Sequence, residues 1–125
     1  MAITLCLRVQ GEKIAHYAKG ANAERELVHR LAKAGFSVAR VAGSGVSVLN
    51  PPDLVALSKQ KRLAFESKAW DSTSLTIPKE QFESFIEWCQ VADCQAVLAW
   101  RRSREGWFFL KPEHFHKTPK AYAIS

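Results

Sequence analysis

The chain has 125 residues, 47% of them hydrophobic, which is enough for a single domain with its own core. The first apolar run, Ala2–Leu7, is too short for the core of a signal peptide or for a membrane span, so we expect a cytoplasmic protein. Lysine and arginine outnumber aspartate and glutamate by 18 to 12, and the resulting net charge of +6 favours a polyanionic partner such as a nucleic acid.

The first third of the chain predicts a strand, a helix and a second strand. Apolar and polar residues alternate from Ile3 to Val9, which is the period of a half-buried strand. Apolar residues recur at helical spacing between Ala18 and Lys33, and Gly35 follows where a helix needs a left-handed cap. A short strand from Phe36 to Val41 then leads into a Gly/Ser loop that ends at the Pro51–Pro52 pair.

The rest of the chain predicts two hairpins with a helix between them. Asp53–Leu57 and Arg62–Ala69 form the first hairpin across a polar turn, and a helix begins near Pro78. Ala96–Trp100 and Trp107–Leu110 form the second hairpin, and the tail after it has no clear period. The order β-α-β-β-β-α-β-β predicts an α/β domain in which helices pack on a central sheet.

One carboxylate on the first helix is out of place. Residues at +3, +4 and +7 from Glu24 form the apolar stripe of that helix: Leu27, Val28 and Leu31. The Glu24 side chain therefore projects from the buried side. Glu26 instead shares its side with Arg30 and Lys33, which predicts a solvated helix face.

Two more carboxylates lie on the first hairpin. Strand alternation sends Glu66 and Lys68 to the same face, about 6 to 7 Å apart. Asp53 directly follows the Pro51–Pro52 pair, which has no N–H donors and a fixed φ, so the strand begins at a stiffly held aspartate. Each feature also has an ordinary interpretation, since Asp after Pro often forms a turn and Glu-x-Lys is often a solvated pair on an edge strand.

Together these residues form the Asp…Glu-x-Lys pattern of metal-dependent nucleases. At about 5 Å and an effective dielectric of about 20, two ionised carboxylates repel by about 3 kcal/mol, so a cluster of them needs a counter-ion. A hard divalent cation such as Mg²⁺ would bridge the carboxylates to a phosphate oxygen and acidify a bound water. The pattern therefore predicts hydrolysis of a nucleic-acid backbone, with Lys68 stabilising the charge that develops at phosphorus.

The motifs KGANAERELVHRLAKAGFSVARVAGSG, PPDLVAL and LAFESK resemble, in this order, the archaeal Holliday junction resolvases of the Hjc type within the PD-(D/E)xK nuclease superfamily. The resemblance implies a restriction-endonuclease-like fold, with a central mixed β-sheet flanked by helices. A single nuclease domain would span residues 1–125, with an N-terminal extension over residues 1–18 and a catalytic core over residues 19–110.

The resemblance also implies a set of site residues. These are the metal-binding acids Glu24, Asp53 and Glu66, the catalytic lysine Lys68, the assisting serine Ser44, and the DNA-binding residues Arg25, Arg40 and Lys19. It implies Mg²⁺ as the cofactor, with Mn²⁺ as a substitute. The substrate would be a four-way DNA junction, cut by a homodimer during recombination and repair in the nucleoid of a cell without a nucleus.

Two alternatives remain open on the sequence alone: a related nuclease that acts on other branched or damaged DNA, and a DNA-binding module without catalysis. Three departures from the family pattern are the 18 residues that precede the family's usual start, Ser67 where an aliphatic residue is expected, and a short C-terminal portion. The aromatic residues Trp107, Phe108 and Phe109 are candidates for a dimer surface, although aromatics in a hairpin are more often in the core.

Overall fold

The structure is a computed structural model, and it describes residues 3–5, 16–41 and 51–125. The elements in chain order are β1 (Ile3–Leu5), α1 (His16–Lys33), β2 (Ser37–Arg40), β3 (Leu54–Leu57), β4 (Arg62–Ala69), β5 (Leu75–Pro78), α2 (Lys79–Ala92), β6 (Gln95–Arg102), β7 (Gly106–Leu110), a 3₁₀ turn (Pro112–His114), β8 (His116–Lys117) and β9 (Ala121–Ile124). The predicted first strand continued to Val9, and its part from Cys6 onward lies outside the described residues.

A six-stranded mixed sheet forms the centre of the molecule, in the order β1-β7-β6-β4-β3-β2. Strands β4 and β6 run parallel, with α2 as part of the connection between them, and the other neighbours are antiparallel. The β3–β4 hairpin is closed by Ser58, whose N–H donates to the Lys61 carbonyl (2.8 Å) and whose Oγ accepts from the Gln60 and Lys61 N–H groups. The predicted α/β class, a central mixed sheet flanked by helices, is confirmed.

Each face of this sheet has its own core, because β4 sends alternate residues to opposite sides. The core under α1 contains Ala23, Leu27, Leu31, Leu54, Ala56, Phe65, Ala99 and Trp107. The core under α2 contains Ala64, Leu75, Ile77, Phe82, Phe85, Cys89, Leu98, Trp100, Leu110 and Phe115. The alternation predicted for β4 is confirmed, since Phe65 belongs to the first core and Ala64, on the face of Glu66 and Lys68, belongs to the second.

Gly35 ends α1 as predicted. Its φ is +100°, in the left-handed region that glycine adopts without a Cβ clash. The N–H of Phe36 then donates to the Leu31 carbonyl (3.1 Å), which satisfies one of the last free carbonyls of the helix. The chain is thereby turned directly into β2, which pairs with β3.

A second, three-stranded sheet in the order β5-β9-β8 was not predicted. The tail that showed no period supplies β8 and β9, and β9 pairs with β5 just before α2 begins. Tyr122 on β9 stacks on Phe82 of α2, with ring centroids 4.0 Å apart, and its hydroxyl donates to Glu83 (2.7 Å). The tail therefore packs against the helix rather than extending into solvent.

The candidate dimer surface is partly wrong. Trp107 is fully buried in the core under α1, and Phe108 and Phe109 are half-buried against the two cores.

Neither helix within the described ranges is long and apolar enough to cross a membrane.

Candidate active site

Asp53 is held rigidly at the point where β3 begins. Its N–H donates to the Phe65 carbonyl on β4 and its own carbonyl accepts from the Val41 N–H, both at 2.9 Å. The side chain is also fixed, because Oδ2 accepts a hydrogen bond of 2.7 Å from the Ser67 N–H. The Pro51–Pro52 pair before it offers no N–H, so Asp53 is the first residue of this segment that can donate to the sheet.

Glu66 lies on β4, on the face of the sheet that α2 covers. It is only 6% exposed, and its Oε2 accepts a hydrogen bond of 2.6 Å from Gln81 Nε2 in the first turn of α2. Lys68, two residues further along the same face, places its Nζ 3.6 Å from the same oxygen. One buried carboxylate is thus bounded by an amide on one side and an ammonium on the other.

Both strand carboxylates have a raised pKa in the folded chain. Burial and the charge of Asp53 raise the pKa of Glu66 to about 7, although Lys68 and Gln81 oppose the shift. Burial also raises the pKa of Asp53, the Ser67 N–H bond counteracts this, and the charge of Glu24 adds to it. A pair of carboxylates in this state gains from any cation that can take the place of the proton.

Glu24 reaches the site from α1, which packs on the opposite face of the sheet. Its neighbours Ala23 and Leu27 are buried, and Glu24 itself is half-buried, in agreement with the predicted inward orientation. Its Oε1 accepts from Arg40 Nε on β2 at 2.9 Å. Glu24 is therefore close enough to act on the pKa of Asp53 while being engaged by a cation of the chain itself.

Within residues 3–5, 16–41 and 51–125, no group of three or more His, Cys, Asp or Glu side chains comes together in a form that could hold a metal ion. The Asp53–Glu66 pair still offers oxygens, because Asp53 Oδ1 and Glu66 Oε1 accept no hydrogen bond from any described residue. Mg²⁺ is often held by one or two carboxylates, with waters and substrate phosphate oxygens completing the shell. The chemistry of this donor set fits such an ion.

The residues expected to contact DNA lie around α1 and β2. Arg25 is exposed, and its Nη1 donates to Asn22 one turn earlier at 3.1 Å. Arg40 pairs with Glu24, as above, and Lys19 pairs with Asp71 beyond the end of β4. The expected assisting residue Ser44 lies outside the described residues.

Two contacts near the site were not foreseen. Gln81 was not singled out, although it is a polar residue in the first turn of the helix that follows the Glu-x-Lys strand. Glu26 was assigned to a solvated face, and this is wrong: its Oε2 accepts from Arg101 Nε on β6 at 2.9 Å, and Arg101 is only 4% exposed. The flank of α1 that carries Glu26 therefore faces the sheet.

Comparisons with known proteins agree with this architecture. The family model described as archaeal Holliday junction resolvase (Hjc) matches residues 15–125. The crossover junction endodeoxyribonuclease Hjc of Archaeoglobus fulgidus is 34% identical over 107 residues, which cover 86% of this chain and 79% of that protein. The protein of the same name from Methanocaldococcus jannaschii is 37% identical over 109 residues, covering 86% and 77%. The solved structure of A. fulgidus Hjc, described as a Holliday junction resolvase, has a TM-score of 0.79 at 32% identity, covering 85% of this chain and 88% of that one.

Proposed function

Because this chain belongs to the archaeal Holliday junction resolvase (Hjc) family, we propose that it resolves four-way DNA junctions by hydrolysing phosphodiester bonds on two opposed strands, with Mg²⁺ as the cofactor. The observation that carries the proposal is the pair of carboxylates, Asp53 and Glu66, fixed on adjacent strands with Lys68 beside them. The family membership names the substrate, and the carboxylate pair supplies the chemistry.

Asp53 and Glu66 would hold the divalent ion, with Mn²⁺ as a substitute, and Glu24 is the third acid of the proposed set. When bound, the ion supplies Lewis acidity and lowers the pKa of a water that attacks the phosphodiester. Gln81 and the Ser67 N–H keep the two strand carboxylates in place, so little reorganisation is needed when substrate arrives.

Lys68 would stabilise the negative charge that develops on the scissile phosphate, in addition to the metal ion. Its ammonium lies beside Glu66 and is only partly exposed, with 31% of its side chain accessible. A positive charge held next to the scissile phosphate is worth more in such a partly desolvated site than in water, because it stabilises the negative charge that builds up in the transition state. Ser44 is proposed to assist at the same site.

The DNA backbone would be bound by Lys19, Arg25 and Arg40, in a protein whose net charge of +6 attracts phosphates. Arg40 and Lys19 pair with Glu24 and Asp71 in the free protein. Exchange of those partners for phosphates would then accompany binding. As an enzyme of junctions in chromosomal DNA, the protein would act in the nucleoid.

Two opposed cuts also require two active sites. A four-way junction is close to two-fold symmetric, and one chain of this size offers one carboxylate pair, so a C2 homodimer matches the substrate. The dimer would present its two sites to strands related by the symmetry axis.

The replacement Asp53→Asn tests the site. It removes one ligand oxygen and one negative charge facing the phosphates, so Mg²⁺-dependent nicking of a four-way junction should fall at least about 10³-fold while junction binding is retained or becomes tighter. Nicking of a labelled junction with Mg²⁺ or with EDTA, and binding in Ca²⁺, would be measured. Asp93→Asn is the matched control: Asp93 is the exposed left-handed cap of α2, where Asn is equally suitable.

The alternatives give different results. An Asp53→Asn protein that nicks at the wild-type rate contradicts the proposed site. A wild-type protein that cuts a linear duplex of the same sequence as readily as the junction is a nuclease without junction selectivity. A protein that binds junctions in a salt-dependent manner but never cuts them with Mg²⁺ or Mn²⁺ is a binding module.

A further inference from the structure

Trp70 is an exposed aromatic residue at the catalytic end of β4. It is 52% exposed, and of the three large hydrophobic residues that are exposed in the described part of the chain it is the one with an aromatic ring. Leaving an indole in water forgoes the burial that a residue of this size usually gains. An exposed indole of this kind is a candidate for contact with a ligand or a partner.

Trp70 continues the row of side chains that forms the candidate active site. The ladder of β4 extends to it, because the Trp70 N–H donates to the Arg101 carbonyl at 3.0 Å. Strand alternation then puts Trp70 on the face that carries Glu66 and Lys68, two residues beyond the lysine and about 6 to 7 Å from it. Trp70 is thus the next residue on this face after the catalytic lysine.

The backbone that carries Trp70 is held from three directions. Its carbonyl accepts from Trp100 Nε1 on β6 at 2.8 Å. The next residue, Asp71, accepts from the Ser103 N–H (2.7 Å) and Ser103 Oγ (2.8 Å) in the β6–β7 turn, and it also pairs with Lys19 of α1. The backbone that carries the ring is therefore already ordered before a ligand stacks on it, which lowers the entropic cost of binding.

The surroundings of Trp70 do not resemble a protein interface. The other exposed large hydrophobic residues in the described ranges are Leu57 and Val91. Leu57 pairs with Arg62 at the beginning of β4, and the Arg62 guanidinium binds the Ala92 carbonyl at the end of α2, so both apolar residues lie near the opposite end of that strand. Among the described residues, Trp70 is therefore isolated from other exposed apolar side chains, whereas protein interfaces bring several together.

The neighbouring charges favour a nucleic acid instead. Lys68 is two residues before Trp70 on β4. Arg102, on the next strand and the same face, lies over the Trp100 ring at 5.3 Å and pairs with Glu105 at 2.7 Å. An exposed aromatic ring beside cations that can contact phosphates is the usual composition of a platform for unpaired bases. The bases of a four-way junction are paired, but stacking is interrupted where its arms exchange strands, so the faces of bases at the branch point become available to a ring.

We propose that Trp70 is a stacking platform for a nucleobase at the branch point, and that this stack positions the adjoining phosphate at Asp53, Glu66 and Lys68. Trp70 is thus a positioning residue for the cut and a determinant of preference for branched over linear DNA. The inference rests on the proposed function for its substrate. It adds a contact to a base, next to the contacts to metal and phosphate.

The test compares Trp70→Ala, Trp70→Leu and Trp70→Phe in the full-length chain. Loss of one base stack should lower junction nicking by about tenfold to a hundredfold in the Ala and Leu variants, and Phe should restore most of it. Leu keeps apolar bulk without a π-face, so it separates stacking from simple burial. Nicking of linear duplex and the melting temperature should change little, because the ring is exposed in the free protein.

A second measurement does not depend on cleavage. For this measurement, 2-aminopurine is placed at each branch-point position in turn and bound by the Asp53→Asn protein. At one position its fluorescence should be quenched by Trp70. The fluorescence at that position should return when Trp70→Ala is added to Asp53→Asn. Binding isotherms and sedimentation of the same proteins would report affinity and oligomeric state.

The outcomes separate the two proposals. If wild type does not nick the junction, the proposed function fails, and the 2-aminopurine signal still decides the stacking. If wild type nicks and Trp70→Leu equals it, or no position responds to Trp70, the stacking is wrong. A Trp70→Ala protein that loses dimerisation rather than the base signal would likewise overturn it, by assigning the ring to the contact between two copies.

Discussion

Glu66 is a buried carboxylate whose ionisation works against folding. Its pKa rises from 4.5 to about 7 in the folded chain, because it is buried and lies near Asp53. A carboxyl with a higher pKa in the folded state holds its proton more tightly when folded, so its contribution to stability falls as the pH rises from 4.5 to about 7. Above pH 7 the cost reaches at most about 3 kcal/mol at 1.36 kcal/mol per pKa unit.

The replacement Glu66→Gln should therefore stabilise the metal-free protein while abolishing cleavage. The amide has no charge to desolvate and can still bond to Gln81, so in EDTA at pH 8 the variant should melt several degrees above wild type. The difference should shrink near pH 5, where Glu66 is mostly protonated in wild type. Thermal unfolding followed by circular dichroism at both pH values would check this.

The control for this prediction is Glu87→Gln on the exposed side of α2, which should leave the melting temperature within about one degree at both pH values. Mg²⁺ should narrow the gap between Glu66→Gln and wild type, because binding stabilises only the protein that keeps its ligands. A Glu66→Gln protein that melts below wild type at pH 8 in EDTA would show that the ionised Glu66 carboxylate does not destabilise the folded protein.

The attachment of α1 to the sheet depends on one buried cation as well as on apolar packing. Arg101 on β6 is 4% exposed, and Glu26 of α1 accepts its Nε–H at 2.9 Å. Replacement of Glu26 by Ala would leave this guanidinium buried without its carboxylate. A cost of about 1 to 3 kcal/mol is expected, below the usual range for a fully buried pair because the Glu26 side chain is 30% exposed.

A double-mutant cycle would test that expectation by urea denaturation. Glu26→Ala and Arg101→Met should each destabilise, whereas the combined variant should be more stable than the sum predicts, since neither charge is left alone. Arg30→Ala, on the same helix but without a described ion pair, is the comparison for helix propensity. Additive effects would mean that the pair is not coupled.

The elements that carry the site were predictable because their signals are local. Alternation along β4 puts Glu66 and Lys68 on one face of the sheet. The Pro51–Pro52 pair fixes Asp53 as the residue at which pairing with β4 begins. A short polar turn joins the two strands, so their register brings the carboxylates together. This much follows from residues close in sequence.

What could not be predicted depends on contacts between distant segments. Strand β5 has only four residues before α2 begins, and its partner β9 lies near the end of the chain. Glu26 and Arg101 are 75 positions apart, so the helical pattern alone assigned Glu26 to solvent. The contact of Gln81 with Glu66 similarly depends on where the first turn of α2 meets the sheet, which no local period encodes.

The tail offers a test of how this second sheet supports the site. Removal of residues 118–125 deletes β9, the central strand of the β5-β9-β8 sheet, and with it the stacking of Tyr122 on Phe82 beside Gln81. We expect a loss of more than about 2 kcal/mol in unfolding free energy and slower junction nicking, from the newly exposed apolar surface and the loosened start of α2. Tyr122→Phe keeps the ring stack and loses only the bond to Glu83, so its effect should be within about 1 kcal/mol. Equal stability of the truncated and full-length chains in urea would contradict a structural role for β9.

Each chain has one Asp53–Glu66 pair, whereas a four-way junction has two opposed strands to be cut. In the proposed homodimer, paired cutting would therefore be a property of the assembly rather than of the chain. In a supercoiled plasmid that extrudes a cruciform, a dimer with two intact sites should cut both strands within one encounter and produce linear DNA. A mixed dimer of wild-type and Asp53→Asn chains has one working site, so it should produce nicked circles that religate intact. Because the first cut releases supercoiling and the cruciform is reabsorbed, a nicked product is not cut again. The two chains would be mixed at several ratios, and linear and nicked products would be measured. For a dimer, the share of linear product should follow the square of the wild-type fraction. A linear dependence on that fraction, with nicked circles from wild type alone, would mean that each chain cuts independently.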